Sequence, residues 1–530
     1  MKRLLLLVVP LLVLAGLTVP SHADPSPYPG FVAEHGYVST PYGDIYVEYH
    51  RPAKGRMPVI LQMTPYRYLY ARVRAQGVTT GFYSDRYTKQ GYAVAFADLL
   101  GTGESSGCWD YGGPAEAGAG AAVVEWLGTR SWSNGKVGMI GTSYDGAIQA
   151  EIATLAPKHL AAIVPQEPVT SWYGYNYDHA VTHNSTDDDV SPDDTGYPVG
   201  TPDLFDAVLG RTPNTDPGRT PEQHVAQAAD KASECEAVEH NMRGHVADPT
   251  YAGFWQERDW ALRAGKVKAA VLMQHGWRDF NTKPDQFTRY WLGLRGAADK
   301  RAVLGQWDHT DVFSAGRKLA GHDAREYLDA FYARHLKGAP ASVLRPFPKV
   351  LSQGYDGKWR TSLPLSARQR FAFTGSRAFV NTGTQTSKAF KQAAAPGDPT
   401  MATWRSAPFG TARRLSGGGE VSVDVSVLST RGQLAATLLD EAPDGTARVI
   451  TLGLLDLRYA GSMAAPAALV PGQTRRVTLT LRPQDAVVAV GHSLRLVLAG
   501  SETVWGLPDP LVGQQYTVAS PTLSLALVAP

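Results

Sequence analysis

The feature that most constrains this chain is a series of short, almost wholly apolar runs. They are Pro58-Val-Ile-Leu-Gln-Met63, Tyr92-Ala-Val-Ala-Phe96, Val137-Gly-Met-Ile140, Leu160 to Val164, Ala269-Ala-Val-Leu-Met273 and Arg301-Ala-Val-Leu-Gly305. Their brevity, and the lack of alternation with polar residues, suits strands covered on both faces. Helix-like stretches such as Ala115 to Thr129, Ala147 to Leu155 and Ala324 to His335 lie between or after them. Strands alternating with helices imply a mostly parallel sheet, and ligands of such sheets collect beyond the carboxyl ends of the strands. The expected fold class is therefore α/β.

At 530 residues the chain is too long for a single core. The strand rhythm stops between Glu167 and about Arg263. That stretch carries Trp172, Tyr173, Tyr175 and Tyr177, the acidic run Asp187-Asp-Asp189, and helix-like pieces starting at Pro202, Pro221 and Thr250. Residues 167–263 are expected to form a helical lid inserted into a core made of residues 24–166 and 264–340. Beyond Gly338-Ala-Pro-Ala341 the texture changes to alternating runs such as Val421-Ser-Val-Asp-Val-Ser-Val427 and Arg476-Val-Thr-Leu-Thr-Leu-Arg482, separated by Gly, Pro and Asp. Residues 345–530 therefore read as an all-β sandwich.

The first residues, Met1-Lys-Arg3, Leu4 to Val19 and Ser21-His-Ala23, have the basic start, apolar stretch and small-x-small end of a secretory signal peptide. Residues 1–23 are expected to be removed before Asp24, leaving a secreted protein with no membrane attachment. The two cysteines, Cys108 and Cys235, can then bridge in an oxidising compartment, the alternative being two separate buried thiols. The net charge of +2, with no basic run interleaved with aromatics, gives no reason to expect nucleic acid as a partner. No metal or cofactor is expected. His240-x-x-x-x-His245 has neither the spacing nor the glutamate of the zinc helix, Asp187 to Asp189 lacks spaced calcium ligands, and Gly101-x-Gly103 lacks the rest of a nucleotide fingerprint.

Candidate chemistry sits at the strand ends. Val137-Gly-Met-Ile-Gly-Thr-Ser143-Tyr-Asp-Gly146 reads as a strand, a sharp turn and a helix start, which presents the Ser143 hydroxyl beside the Tyr144 amide. The common elbow is G-x-S-x-G, whereas here the second glycine is three residues after the serine. Alone, the stretch reads equally well as a glycine-rich turn with an incidental serine. Tyr66, Asp279 and His309 follow the ends of three other predicted core strands, so they and Ser143 share one edge of the sheet. The order Ser, Asp, His is that of the α/β-hydrolases. His309 would take the proton of Ser143, and Asp279 would fix the imidazole tautomer. Asp98 and Asp308 are rival acids, but Asp98 precedes the serine strand and Asp308 adjoins the histidine.

Together, Pro65-Tyr66, Asp98-x-x-Gly101-x-Gly103-x-Ser105, Gly141-x-Ser143-Tyr144-x-Gly146, Gly276-Trp277-x-Asp279 and Trp307-x-His309 resemble the X-prolyl dipeptidyl-peptidase and cocaine-esterase (CocE/NonD) group of serine hydrolases. The displaced glycine after Ser-Tyr is a property of that group. The resemblance covers nearly the whole mature chain. It implies an α/β-hydrolase core with a helical lid and a C-terminal jelly-roll (galactose-binding-like) domain. It also implies an oxyanion hole made by the Tyr66 hydroxyl and the Tyr144 amide. Two positions depart from the pattern: Leu100 stands where arginine is common, and Asp145 where a small or apolar residue is usual. Val164-Pro-x-x-x-Val-Thr-Ser171-Trp172-Tyr173-x-Tyr175 and Asp279-Phe-Asn281-x-Lys283-Pro284 are similar to the peptidase branch, which implies substrate-binding roles for Trp172, Tyr175 and Asn281, although the aromatic cluster reads equally well as lid core. The expected function is release of N-terminal X-Pro dipeptides. The alternatives are an esterase or amide acylase acting on small molecules, and a secreted binding protein without catalysis.

Overall fold

The computed structural model describes residues 23–66, 82–185, 199–200, 221–279, 281–365, 368–385, 398–506 and 511–530. The leader before Ala23, the acidic run Asp187 to Asp189 and the helix expected from Pro202 to Leu209 lie outside these residues.

Eleven strands form the central sheet. They are β1 (Ala23–Pro25), β2 (Phe31–Thr40), β3 (Gly43–Pro52), β4 (Met57–Thr64), β5 (Ala93–Asp98), β6 (Ser133–Thr142), β7 (Leu160–Gln166), β8 (Ala270–Gly276), β9 (Lys300–Gly305), β10 (Val350–Gln353) and β11 (Trp359–Arg360). Their order across the sheet is β1-β2-β3-β5-β4-β6-β7-β8-β9-β10-β11. From β5 to β10 every neighbouring pair is parallel, while β1 to β3 and β11 add antiparallel margins.

The apolar runs are continuous because successive side chains feed two different cores. Val59, Leu61 and Met63 of β4 point into a cluster with Val123, Leu127, Ile148 and Ile152, whereas Ile60 joins Tyr87, Leu328, Phe331 and Tyr332 on the other face. The covering helices include α1 (Phe82–Lys89), α2 (Pro114–Thr129) and α3 (Tyr144–Thr154). Pro114 opens α2 at a position where its missing N–H is harmless.

The sheet runs past the core boundary expected at residue 340. Strand β10 pairs in parallel with β9, with Val303 opposite Leu351. Val350-Leu-Ser-Gln353 is too short and too polar to stand out in the sequence.

Between β7 and β8 the chain forms α4 (Trp172–Asn176), a small hairpin, α5 (Pro221–Val246) and two short helical pieces, Gly253–Glu257 and Trp260–Lys266. Cys108 and Cys235 are joined in a disulfide, their Cα atoms 5.5 Å apart, and this ties α5 to the segment following β5. After β8 come α6 (Asp285–Gly293) and, after β9, α7 (Ala324–Leu336).

The C-terminal region is β-rich. Its strands form a five-stranded and a four-stranded sheet, both antiparallel. Val421, Val423 and Val425 point inward and meet Leu434, Leu438 and Leu496 of the facing sheet, while Ser422 and Asp424 between them are part-exposed. Among the described residues no helix is long and apolar enough to cross a membrane.

Candidate active site

The six strand ends β5, β4, β6, β7, β8 and β9 lie along one edge of the sheet, in that order. Ser143 follows β6, and its backbone sits at φ 64°, ψ −125°. A non-glycine residue held in so sparsely populated a region is strained, and such strain persists only where the surroundings impose it. Here they do. The Ser143 N–H donates to the Gln166 carbonyl (3.0 Å), and the Ser143 carbonyl accepts from the N–H groups of Gly146 and Ala147, each at 2.9 Å. The displaced glycine also has a steric reason: a Cβ at Gly146 would lie 2.5 Å from the carbonyl oxygen of Gln166 on β7. Helix α3 therefore starts pressed against the neighbouring strand, with the positive end of its dipole beside the serine.

The Tyr144 side chain anchors this turn. Its hydroxyl accepts from Trp109 Nε1 (2.8 Å) and donates to Glu116 (Oε2 at 2.8 Å). Burial raises the Glu116 carboxyl to about 8, with the negative charge of Asp110 adding to the shift. Tyr66 follows β4, with its N–H donating to Thr64 Oγ1 at 3.0 Å, and its ring stands edge-on to that of Tyr144, 6.4 Å between centroids. Asp145, the unusual residue after the Ser-Tyr pair, accepts from Gln62 Nε2 at 2.7 Å, and burial raises its carboxyl to about 7. The elbow helix and the strand that leads to Tyr66 are thus joined through one buried carboxyl.

Asp279 and His309 follow β8 and β9, strands paired in register from Val271 and Lys300 to Gly276 and Gly305. His309 Nδ1 lies 2.8 Å from Asp279 Oδ2, and Thr282 donates to Asp279 from its N–H (2.9 Å) and its hydroxyl (2.8 Å). Asp279 is fully buried while the His309 side chain is 25% exposed. Burial alone would raise the Asp279 carboxyl, but the adjacent His309 pulls it well below the usual carboxylate range. Asp98, the rival acid, is committed to its own turn, where it accepts from the Glu104 N–H at 2.8 Å.

The residues expected to bind substrate divide. Tyr175 and Asn281 are half-buried, and the Asn281 carbonyl accepts from Lys283 Nζ at 3.1 Å. Trp172 is only 1% exposed. Its indole N–H donates to the buried Glu151 (2.9 Å), and its ring packs 4.8 Å from that of Tyr144. It braces the elbow from behind and is not a pocket wall in this structure. The aromatic spacing gives no means of telling those two roles apart.

Sequence reasoning passed over Glu167. It follows β7, between the strands that deliver Ser143 and Asp279, and its backbone is strained at φ 44°. The strand-end rule that selects the other residues selects this one too, but the break in strand rhythm makes it the first residue of the expected lid. Among the described residues Glu167, His275 and Asp279 form the one set whose possible ion-ligating atoms converge, within 4.8 Å of one another. The Asp279 oxygens already serve Thr282 and His309, and the Glu167 oxygens serve Gln274 Nε2 (2.7 Å) and the Gly276 N–H (2.9 Å). The arrangement is that of hydrogen-bonded acids.

Comparison with known proteins then decides the family. The profile of the X-Pro dipeptidyl-peptidase S15 family matches residues 44–311, which include Tyr66, Ser143, Asp279 and His309. The profile of the X-Pro dipeptidyl-peptidase C-terminal non-catalytic domain matches residues 259–524. The chain belongs to the X-Pro dipeptidyl-peptidase S15 family. Two relatives of this S15 protein, each named only provisionally as an Xaa-Pro dipeptidyl-peptidase, come from Streptomyces avermitilis and Bacillus cereus. The first is 27% identical over 89% of this chain and 76% of its own length, the second 25% over 89% and 84%. Solved structures of similar fold include a CocE/NonD family hydrolase from Staphylococcus aureus (TM-score 0.68, 18% identity, 94% of each chain). A second is an aminopeptidase from a marine sediment archaeon, Thaumarchaeota archaeon (TM-score 0.70, 14% identity, 97% of this chain and 99% of that one). As an S15 protein the chain is a serine hydrolase with an α/β-hydrolase core and a β-rich C-terminal domain.

Proposed function

We propose that this enzyme removes X-Pro dipeptides from peptide N-termini through a Ser143-His309-Asp279 relay and an acyl-enzyme. The observation that carries the reading is the His309–Asp279 hydrogen bond on strands close to the strained Ser143 elbow, in a chain of the S15 family. Ser143 Oγ attacks the carbonyl carbon of the proline residue while His309 takes the hydroxyl proton. Asp279 holds the Nδ1–H and stabilises the imidazolium. The oxyanion is met by the Tyr144 N–H and the Tyr66 hydroxyl, donors of the kind whose single loss lowers turnover roughly 10²–10³-fold. His309 then protonates the leaving amine, and water, deprotonated by the same histidine, releases the dipeptide. Tyr175 and Asn281, both half-buried, would bind the dipeptide, Asn281 at its amino end. The protein acts outside the cytoplasm after loss of residues 1–23. The Cys108–Cys235 bond supports this, since such bonds persist in oxidising compartments.

The test compares a free-amine Ala-Pro amide with its N-blocked form and with simple aryl esters, alongside fluorophosphonate labelling of wild type and Ser143→Ala. The expected result is cleavage of the free-amine substrate alone, with labelling lost in the variant. Equal cleavage of the blocked amide, or a preference for esters, would replace the peptidase reading with the esterase one. Labelling that survives in Ser143→Ala would overturn the nucleophile.

A further inference from the structure

A second acid lies directly behind the relay. The Glu167 side chain is fully buried and enclosed by β8, where Gln274 Nε2 and the Gly276 N–H both donate to it. One of its carboxyl oxygens also lies within 4.8 Å of an Asp279 oxygen. Two carboxylates so close in a dry interior cannot both be ionised, so one of the pair holds a proton. The groups facing Glu167 decide which one holds it. Asp279 receives His309 and two Thr282 donors, all of which favour its charge. The other titratable neighbour is His275, with Nε2 3.7 Å from Glu167 Oε2. Burial lowers His275 to about 4, so it is neutral and brings no cation to Glu167. His309 reaches Glu167 only through Asp279. Burial first, and then the charge of Asp279, raise the Glu167 carboxyl well above the ordinary range.

We propose that Glu167 is a positioning residue of the relay: it stays a neutral carboxylic acid and donates its proton in a hydrogen bond to Asp279. In doing so it fixes the rotamer of Asp279 and takes up part of its charge. Asp279 then attracts the His309 proton less strongly, so the imidazole remains a free base to lower pH. The strained φ of Glu167 fits this role, because a backbone outlier on a strand end is where a fold commonly holds a side chain for function. This inference rests on the Ser143-His309-Asp279 reading.

The test uses two substitutions of the whole enzyme. Glu167→Gln keeps a donor for Asp279, and Glu167→Met fills the same space with none. With Glu167→Gln, kcat should stay within a few-fold of wild type. With Glu167→Met, kcat should fall about tenfold to hundredfold at unchanged KM, the range set by losing a hydrogen bond to a charged group. The acidic limb of kcat/KM should also move up by about half a unit to one unit in Glu167→Met alone, because an undonated Asp279 holds the His309 proton more tightly. A Met variant that labels with fluorophosphonate yet keeps the wild-type kcat and acidic limb would overturn the proposal. So would equal losses in both variants with the limb unmoved, the mark of a purely structural role. Should the Met variant fail to fold, the infrared difference between wild type and Glu167→Gln at neutral pH is decisive. A protonated-carboxyl C=O band lost in the variant supports the neutral acid, and its absence from the difference overturns it. Failure of Ser143→Ala to abolish labelling would strike the relay itself, a result separate from any of these.

Discussion

At the scale of single residues, the buried acids around the nucleophile carry a pH signature. Asp145 is raised by burial to about 7, whereas in the unfolded chain it titrates near the ordinary aspartate value of about 4. Below that lower pH both states hold the proton and nothing is lost. Between the two values the unfolded chain releases its proton while the folded one keeps it, so stability falls as pH rises, and the loss is complete above about 7. Asp145→Asn retains an acceptor for Gln62 and removes this titration. Urea unfolding midpoints across pH 4 to 8 are expected to separate in favour of the variant as pH rises, by an amount on the order of a few kcal/mol. Parallel curves would show that Asp145 titrates normally. Asp145 was visible in the sequence only as a departure from the family's pattern. Its role depends on Gln62 lying across the strand pairing, a neighbour that no local spacing reveals.

At the scale of elements, the sheet was legible because a parallel strand covered on both faces must be apolar throughout. The runs at Pro58, Tyr92, Val137, Leu160, Ala269 and Arg301 each correspond to a strand, with ends displaced by a few residues. Strand β10 was not legible, since it is only four residues long and carries two apolar residues. The strand ends singled out Tyr66, Ser143, Asp279 and His309. The same rule does not separate Glu167 from the lid, whose expected start it shares, and it cannot show that Trp172 faces Glu151 and Tyr144. Of the lid elements, α5 is the one tied covalently to the core. Closing a loop with a sequence separation of 127 contributes roughly 4–5 kcal/mol in the chain-entropy account. Cys108→Ser/Cys235→Ser should therefore lower the melting temperature and expose α5 to limited proteolysis before the central sheet. A double variant as resistant as wild type would show that α5 is held by packing alone.

At the scale of the whole molecule, the β-rich domain reaches the loop that carries the catalytic acid. Gln484 Nε2 donates to the Trp277 carbonyl, two residues before Asp279. Asp485 accepts from Ser352 Oγ at 2.5 Å, and Ser352 Oγ in turn accepts from Trp277 Nε1 at 3.1 Å. The Asp485 carboxylate is fully buried against Arg414, whose side chain is 2% exposed. Removing one partner of such a pair leaves an uncompensated buried charge, so Asp485→Ala should lose about 3–5 kcal/mol of stability. It should also lower kcat by loosening the Trp277 segment. Chemical denaturation and steady-state kinetics on the same preparation would check both, and full stability in the variant would refute the brace. The lid is held from the same side: Asp178 accepts from the Leu454 N–H at 3.1 Å, and the His179 carbonyl from the Asp456 N–H at 3.0 Å. The disulfide has one more consequence, which belongs to the topology of the chain. Cys108 and Cys235 close a covalent ring that contains Ser143 and Glu167, while Asp279 and His309 stand on the tail outside it. A protease that cuts once anywhere within the ring opens it without dividing the molecule, so nucleophile and relay stay on one particle until the bond is reduced.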